Sequence, residues 1–319
     1  MSESVFEDKF NAREYIETYY PAFTEIDTFL LVAKKMHENP EGNYVIDAIA
    51  EETGTQHELI ENVAVFDFYR VIVEHLLEEF PAGDARILDV GGGPTIYQHI
   101  GLCLIAEHIT HSEYLEKNRQ EVLLWLEKEE EAHIWDSYFT LVQQLFKTGQ
   151  IPQILKRQSG WGSVRSLLHA RKIQKVLDAA NVDSFKHLLR TRVGTDVVHG
   201  DIFQADLALK NGQNTYDVVT SNFVAESATT ELEQWRNGMK NLISHVRPGG
   251  YFVQTAIKNA HWYQVGKERL PAVAVDQGMI SEICEREGCR VIYQKVLEGS
   301  DTDVVGYDGM IFTLAQKLK

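Results

Sequence analysis

Apolar residues recur at helical spacing from the start of the chain to about Phe80. Ile26, Phe29, Leu30 and Ala33 share one face, and Asn39-Pro40 closes that segment. Two more helical patterns flank Gly54-Thr55, the later one carrying Leu59, Val63, Phe66, Tyr69, Val73 and Leu76. Pro81-Ala-Gly-Asp84 is a turn, and beyond it the period changes. Short apolar runs at Arg86–Gly91, His108–Glu113, Asp196–Asp201, Tyr216–Ser221, Gly250–Thr255, Cys289–Val296 and Met310–Ala315 read as seven strands. Helical patterns separate most of them. The clearest places Leu232, Trp235, Met239, Leu242 and Val246 on a single apolar face. Such alternation predicts an α/β fold with a seven-stranded, mostly parallel, Rossmann-like sheet. No helix separates the last two strands, so the final strand is expected to run antiparallel. Residues 120–192 hold only helical and loop patterns and read as a helical insertion. Two regions follow: a helical lid or cap over 1–80, and an α/β domain over 81–319.

Charge narrows the partners. Forty-seven acids against 31 bases give a net charge of −16, with no segregated basic block, so nucleic acid is not expected. The longest apolar run, Ile100 to Ala106, is too short to span a bilayer. The opening MSESVFEDKF lacks the basic and apolar stretches of a secretory signal, and a cytoplasmic location is expected. Three cysteines without a CxxC pair form neither a disulfide framework nor a zinc cluster. His99, His108 and His111 lie close in sequence but match no metal-binding spacing, so no metal is expected. Ser159-Gly-Trp-Gly-Ser163 lacks the residue order and preceding strand of a nucleophile elbow and reads as a loop.

The chemistry gathers at the first strand, which runs into Asp89-Val-Gly91-Gly92-Gly93-Pro94-Thr95. Glycines allow a sharp turn and close approach of a ligand, at the sheet edge where open α/β folds bind. Glu113 ends the second strand, placed to accept both hydroxyls of a ribose. A dinucleotide fingerprint needs a third glycine where Ile96 stands. S-adenosylmethionine has no phosphates and needs only the acid-x-Gly-x-Gly pattern. Asp201, after the third strand, can receive an adenine amino group. The plain alternative is a tight turn with no ligand.

Ordered segments along most of the chain resemble the nicotinamide / phenylethanolamine / indolethylamine N-methyltransferase family. Phe10-Asn-Ala-Arg-Glu-Tyr15 through Tyr19-Tyr20 resembles its N-terminal tyrosine segment, and Gly93-Pro-Thr-Ile-Tyr97-Gln98 its cofactor loop. Ser112–Asn118, Trp125–Trp135, Trp262-Tyr263 and Gly309–Lys317 extend the likeness. The resemblance implies an S-adenosylmethionine-dependent methyltransferase. It implies that Tyr20 binds the cofactor carboxylate and that Gly91, Gly93, Thr95 and Tyr97 line its amino-acid end. Glu113 with Asn118 would hold the ribose, Asp201 with Ile202 the adenine, and Tyr15 would roof the site. Two places depart from the pattern. Glu113 stands for the usual Asp, and Thr255 stands where nicotinamide-methylating relatives carry an acid.

Methyl transfer needs a neutral nitrogen held against the methyl group in a dry pocket. Tyr19, Phe223, Trp262 and Tyr263 are candidate substrate walls, and Glu226 is the candidate carboxylate for a protonated amine or guanidine. If it does not serve a substrate, Glu226 caps the helix beginning near Thr229. The expected function is N-methylation of a small nitrogen compound, with an amino acid such as arginine among the acceptors allowed. The alternatives are a small-molecule O-methyltransferase, a nicotinamide or pyridine N-methyltransferase, and a binding module that retains the sheet without catalysis. Residues 41–80 are similar to the dimerisation helices of O-methyltransferases, so either a monomer or a homodimer fits.

Overall fold

The structure, a computed structural model, describes residues 10–38, 43–161, 163–209, 215–299 and 302–319. The first nine residues and the Asn39-Pro40 stop lie outside these; the helix before that stop, α2, spans Ile26–Glu38. It follows α1, Ala12–Tyr19, which Asn11 caps by accepting from the Arg13 and Glu14 amides at 3.1 and 3.2 Å. Helices α3 (Ile46–Thr53) and α4 (His57–Glu79) complete the first region, with Gly54 ending α3 in the left-handed conformation.

Among the described residues the main sheet has eight strands, one more than expected. In chain order they are β1 (Tyr44–Val45), β2 (Ala85–Val90), β3 (Ala106–Glu113), β4 (Val197–His199), β5 (Tyr216–Asn222), β6 (Val246–Lys258), β9 (Cys289–Glu298) and β10 (Gly309–Lys317). Their spatial order is β1-β9-β10-β6-β5-β2-β3-β4. The last strand runs antiparallel to both neighbours, as expected. The extra strand, β1, pairs parallel to β9 and belongs to the region read as all helix. Strands β7 (Trp262–Val265) and β8 (Glu268–Pro271) form a separate antiparallel hairpin. Neither feature is visible in the apolar pattern, because two to four residues carry no readable period.

Short helix α5 (Tyr97–Leu102) follows the glycine loop. Residues 116–193 are helical: α6 (Glu116–Glu127), α7 (Asp136–Thr148), α8 (Ile151–Trp161), α9 (Val164–Asp178) and α10 (Asp183–Val193). Helix α8 therefore includes Ser159–Trp161 from the expected loop, and Gly162 lies outside the described residues. Helices α11 (Leu232–Ser244), α12 (Gln277–Arg286) and α13 (Thr302–Val305) complete the chain. Among the described residues no helix is long and apolar enough to cross a membrane.

Adjacent strand residues face opposite layers. Ile87, Val218, Val253 and Phe312 join the core under α4 and the inserted helices. Leu88, Val219, Phe252 and Ile311 join the core under α11 and α12. Burial on both faces explains why these strands read as continuous apolar runs. Parallel strands β2 and β5 are neighbours, yet the chain passes through β3 and β4 between them. That reversal opens a crevice at their carboxyl ends.

A buried ion pair network ties the first region to the insertion. Arg70 on α4 donates through Nε to Asp67 Oδ1 at 2.8 Å and meets Glu74 Oε2 at 2.6 Å. Glu74 Oε1 accepts the Gln150 amide at 2.6 Å, between α7 and α8. Arg70→Met removes the guanidinium and leaves Glu74 buried without its cation, while Asp67 keeps only His37 Nε2, 2.9 Å away. We expect a loss of about 3–5 kcal/mol in urea unfolding, the usual result of breaking a buried pair. A variant within about 1 kcal/mol of wild type shows the network to be dispensable.

Candidate active site

The crevice is a cavity of about 710 Å³ at the carboxyl ends of β2, β3, β4 and β5. That is the size of a small-molecule site. Its wall takes the glycine loop from β2, Glu113 from β3, Asp201 from beyond β4, and Asn222 and Phe223 from the end of β5.

The glycine loop is fixed from below by Asp89, a fully buried carboxylate. Its Oδ1 accepts from Thr220 at 2.7 Å and its Oδ2 from Gln98 at 2.8 Å. His99 Nε2 stands 2.9 Å from Oδ2 and His111 Nδ1 3.5 Å from it. Burial alone raises a carboxyl's pKa. The hydrogen bonds and charge of His111 and His99 outweigh it and hold Asp89 well below the carboxylate range. Two of the three histidines close in sequence, His99 and His111, thus stand beside this acid, while His108 Nε2 meets Asp196 at 2.8 Å. Gly92 packs directly on the cluster: a β-carbon there falls 2.3 Å from Asp89 Oδ2 and from His111 Cε1. Gly91 and Gly93 have φ of 69° and 63°, the left-handed region that favours glycine.

Above the loop, Glu113 is oriented by three donors. The Gly93 and Leu115 amides reach its carboxylate at 3.0 and 2.8 Å, and Asn118 Nδ2 at 3.0 Å. Asn118 Oδ1 is buried with no partner. Asp201 accepts the Phe203 amide at 2.9 Å and lines the cavity beside Ile202.

Helix α1 brings the tyrosines over the other end. Tyr15 lines the cavity, and its ring lies 5.2 Å from Phe10 and 4.9 Å from Tyr19. Tyr20 stacks on Tyr97 at 4.9 Å. Tyr19 donates to the Gln264 carbonyl at 2.8 Å, clamping α1 to the β7–β8 hairpin. Gly266 at the hairpin turn has φ of 56°, the left-handed region that favours glycine. Burial pushes the phenol of Tyr19 up to about 12 and those of Tyr15 and Tyr263 higher, so all three stay neutral.

Of the residues singled out in the sequence, Tyr15, Gly91, Gly93, Thr95, Tyr97, Glu113, Asn118, Asp201, Ile202, Phe223 and Tyr263 share this one cavity wall. Tyr19, Tyr20, Trp262 and Glu226 are not part of it. Trp262 holds the Arg269 guanidinium 4.0 Å above its ring. Glu226 is no helix cap: it is fully buried, and its Oε1 accepts the Ile257 amide on β6 at 2.9 Å. Its Oε2 has no partner, and its charge is felt by Tyr263 on the wall. Sequence reasoning gave no site role to Asn222, Ser227 or Phe10, all wall residues. Asn222, as the polar residue ending a strand at the binding edge, could have been found by the rule that located Glu113.

The profile of the NNMT/PNMT/TEMT family matches residues 53–318. Bovine phenylethanolamine N-methyltransferase is 27% identical over 248 residues, covering 76% of this chain and 77% of its own. Mouse indolethylamine N-methyltransferase is 24% identical over 259 residues, covering 80% and 86%. Human nicotinamide N-methyltransferase is 23% identical over 233 residues, covering 73% and 76%.

Burial raises the Glu226 carboxyl from 4.5 to about 7, and the backbone amides near it offset only part of that. The folded protein therefore keeps a proton that the unfolded chain releases between these values. This contribution is complete below 4.5 and is lost as pH rises through about 7. Glu226→Gln should match wild type at the acid end of a melting series. At the alkaline end it should be the more stable by on the order of a few kcal/mol. Parallel profiles across the series remove the assignment of a buried carboxylic acid.

Proposed function

The chain belongs to the NNMT/PNMT/TEMT family of S-adenosylmethionine-dependent methyltransferases, and on that premise we propose that it N-methylates a small amine or guanidine bound as a cation. One observation carries the proposal. Among the described residues the cavity wall holds Glu113, Asp201 and Glu233 with several phenols, but no lysine, arginine or histidine. A wall of that kind suits a sulfonium and a cationic acceptor, and it offers nothing to the pyrophosphate of a dinucleotide.

The residues present fit the cofactor. Asn118 Oδ1 lacks a partner beside Glu113, and a β-carbon on Gly93 would project into open space. In this reading Glu113 and Asn118 hold the ribose hydroxyls, and Asp201 and Ile202 take the adenine. Gly91, Gly93, Thr95 and Tyr97 line the amino-acid end, with Tyr20 stacked behind Tyr97 to receive the carboxylate. When bound, the cofactor supplies an electrophilic methyl group on a positively charged sulfur.

The remaining work falls to the protein. Tyr15 roofs the cavity, and residues 1–80 act as a cap on the domain formed by 81–319. The rings of Phe223, Tyr263, Tyr19 and Trp262 form or back the acceptor end and favour a cation. Glu226 serves from behind this wall. With a pKa near 7, its unpartnered Oε2 can ionise against an ammonium or guanidinium and take up the proton that the nitrogen must lose. An amino acid such as arginine remains among the acceptors allowed.

Two measurements test this reading. Glu113→Ala should weaken S-adenosylhomocysteine binding in calorimetry by about 1.5–3 kcal/mol, the scale of hydrogen bonds to a charged group, while melting stays cooperative. Unchanged affinity in the folded variant refutes the ribose assignment. With labelled cofactor and a panel of amines and guanidines, Glu226→Gln should lower kcat/KM at least about tenfold with cofactor affinity unaltered. Wild-type turnover by that variant leaves the cationic acceptor without its carboxylate.

A further inference from the structure

Asn222 is the last residue of β5 and is 7% exposed. Its Oδ1 accepts two hydroxyls, from Tyr69 on α4 at 2.8 Å and from Thr255 on β6 at 2.9 Å. Neither hydroxyl has another hydrogen-bond partner among the described residues. This count fixes the amide. Turned the other way, the amide would leave both hydroxyl protons without an acceptor, so the carbonyl faces the hydroxyls. Tyr69 is 2% exposed, and burial raises its phenol well above the ordinary range, so it keeps the proton it donates. The amide nitrogen Nδ2 is left buried with no partner, on a residue that lines the cavity. A buried donor without an acceptor is costly, and in a binding site its missing acceptor is expected on the ligand.

The sheet says which ligand. Along the binding edge the order runs from Asp201, after β4, to Glu113 on β3, the glycine loop on β2, and Asn222 on β5. Asn222 thus stands one strand beyond the loop, about 5 Å on, on the side away from the ribose acid. That is the acceptor end. The lone pair of the methylated nitrogen must face the methyl group, so Nδ2 needs another atom. A substrate carboxylate would find no cationic side chain among the described residues of this wall and would face Glu113, Asp201 and Glu233.

We propose that Asn222 selects the methyl acceptor, its Nδ2 donating to an uncharged oxygen, carbonyl or hydroxyl, that the substrate carries near the nitrogen to be methylated. Tyr69 and Thr255 are positioning residues that hold the amide in this sense. The inference rests on the N-methyltransferase reading above and names its substrate class.

Two matched series test it: 2-phenylethylamine, phenylalaninamide and phenylalanine, and agmatine, argininamide and arginine. Within each, the oxygen group beside the amine and its charge change, and with them the basicity of the amine; the Asn222 variants control for that basicity, which is the same whichever protein is assayed. In wild type, at least one amide should exceed its bare amine in kcat/KM by at least about tenfold, and its carboxylate should fall below it. Asn222→Asp still accepts from Tyr69 and Thr255 but presents no N–H, so it should abolish the amide's advantage. The bare amine should lose less than the amide does, and S-adenosylhomocysteine affinity should change less than about threefold. Asn222→Leu should do the same and stands in if the Asp variant does not melt cooperatively. Tyr69→Phe, outside the wall, should raise KM for the amide more than it lowers kcat. An advantage that is absent in wild type, or that survives in both Asn222 variants, overturns the proposal. So does a carboxylate that outruns its amide. If the variants weaken S-adenosylhomocysteine but not 5′-methylthioadenosine, Asn222 serves the cofactor carboxylate instead, and the proposal falls. No turnover of any of the six compounds by protein that binds S-adenosylhomocysteine sinks the function itself, and this inference with it. Turnover of the bare amines without discrimination sinks the inference alone.

Discussion

Everything at the binding edge depends on the ionised carboxylate of Asp89, held with no exposure beneath the glycine loop. An isolated buried charge is prohibitively costly. Here Thr220 from β5 and Gln98 and His99 from α5 point polar groups at it, and His111 from β3 stands close by. The compensation therefore locks three strands and a helix to one another. It also explains Gly92, since nothing larger than hydrogen fits between the loop and the cluster. Gln98 donates to the Gly92 carbonyl as well, at 3.2 Å, and so does Thr95 through its hydroxyl at 2.8 Å. The loop is thus pre-formed, which spares a ligand the entropy of ordering it.

Acid below the loop is answered by acid around the cavity. The wall offers carboxylates, amides and neutral phenols, and the tyrosines keep their protons because burial opposes phenolate. A negative potential focused in a partly dry crevice favours cations. Glu226 is buried behind this wall, and burial raises its carboxyl toward neutrality, which costs less in the free protein than a full buried charge would.

The first region does more than cover this crevice. Helix α4 belongs to the main core, and Tyr69 on it reaches Asn222 at the edge of the sheet. Arg70, the next residue, anchors the same helix to the insertion through Glu74. The hairpin grips α1 through Tyr19 and Gln264 and supplies Tyr263 to the wall. The roof and one side of the site thus come from segments far apart in the chain.

Local pattern was enough for the sheet's seven longer strands, the reversed last strand, the glycine loop and the acids at strand ends. Strands buried on both faces read as apolar runs, and a left-handed turn demands glycine whatever surrounds it. Gly91, Gly93, Glu113 and Asp201 share one wall because the binding edge of an α/β sheet is set by strand direction, whereas Tyr15, Thr95, Tyr97, Asn118 and Ile202 were singled out through the family resemblance. Only the tertiary structure decided the rest. Strand β1 and the hairpin are too short to carry a period and exist through their partners. Glu226 sits behind the wall because its oxygen is claimed by an amide 31 residues further on. The sense of the Asn222 amide depends on hydroxyls 153 residues before it and 33 after it. Such contacts are made across the fold, between residues whose spacing in the chain records nothing of their meeting.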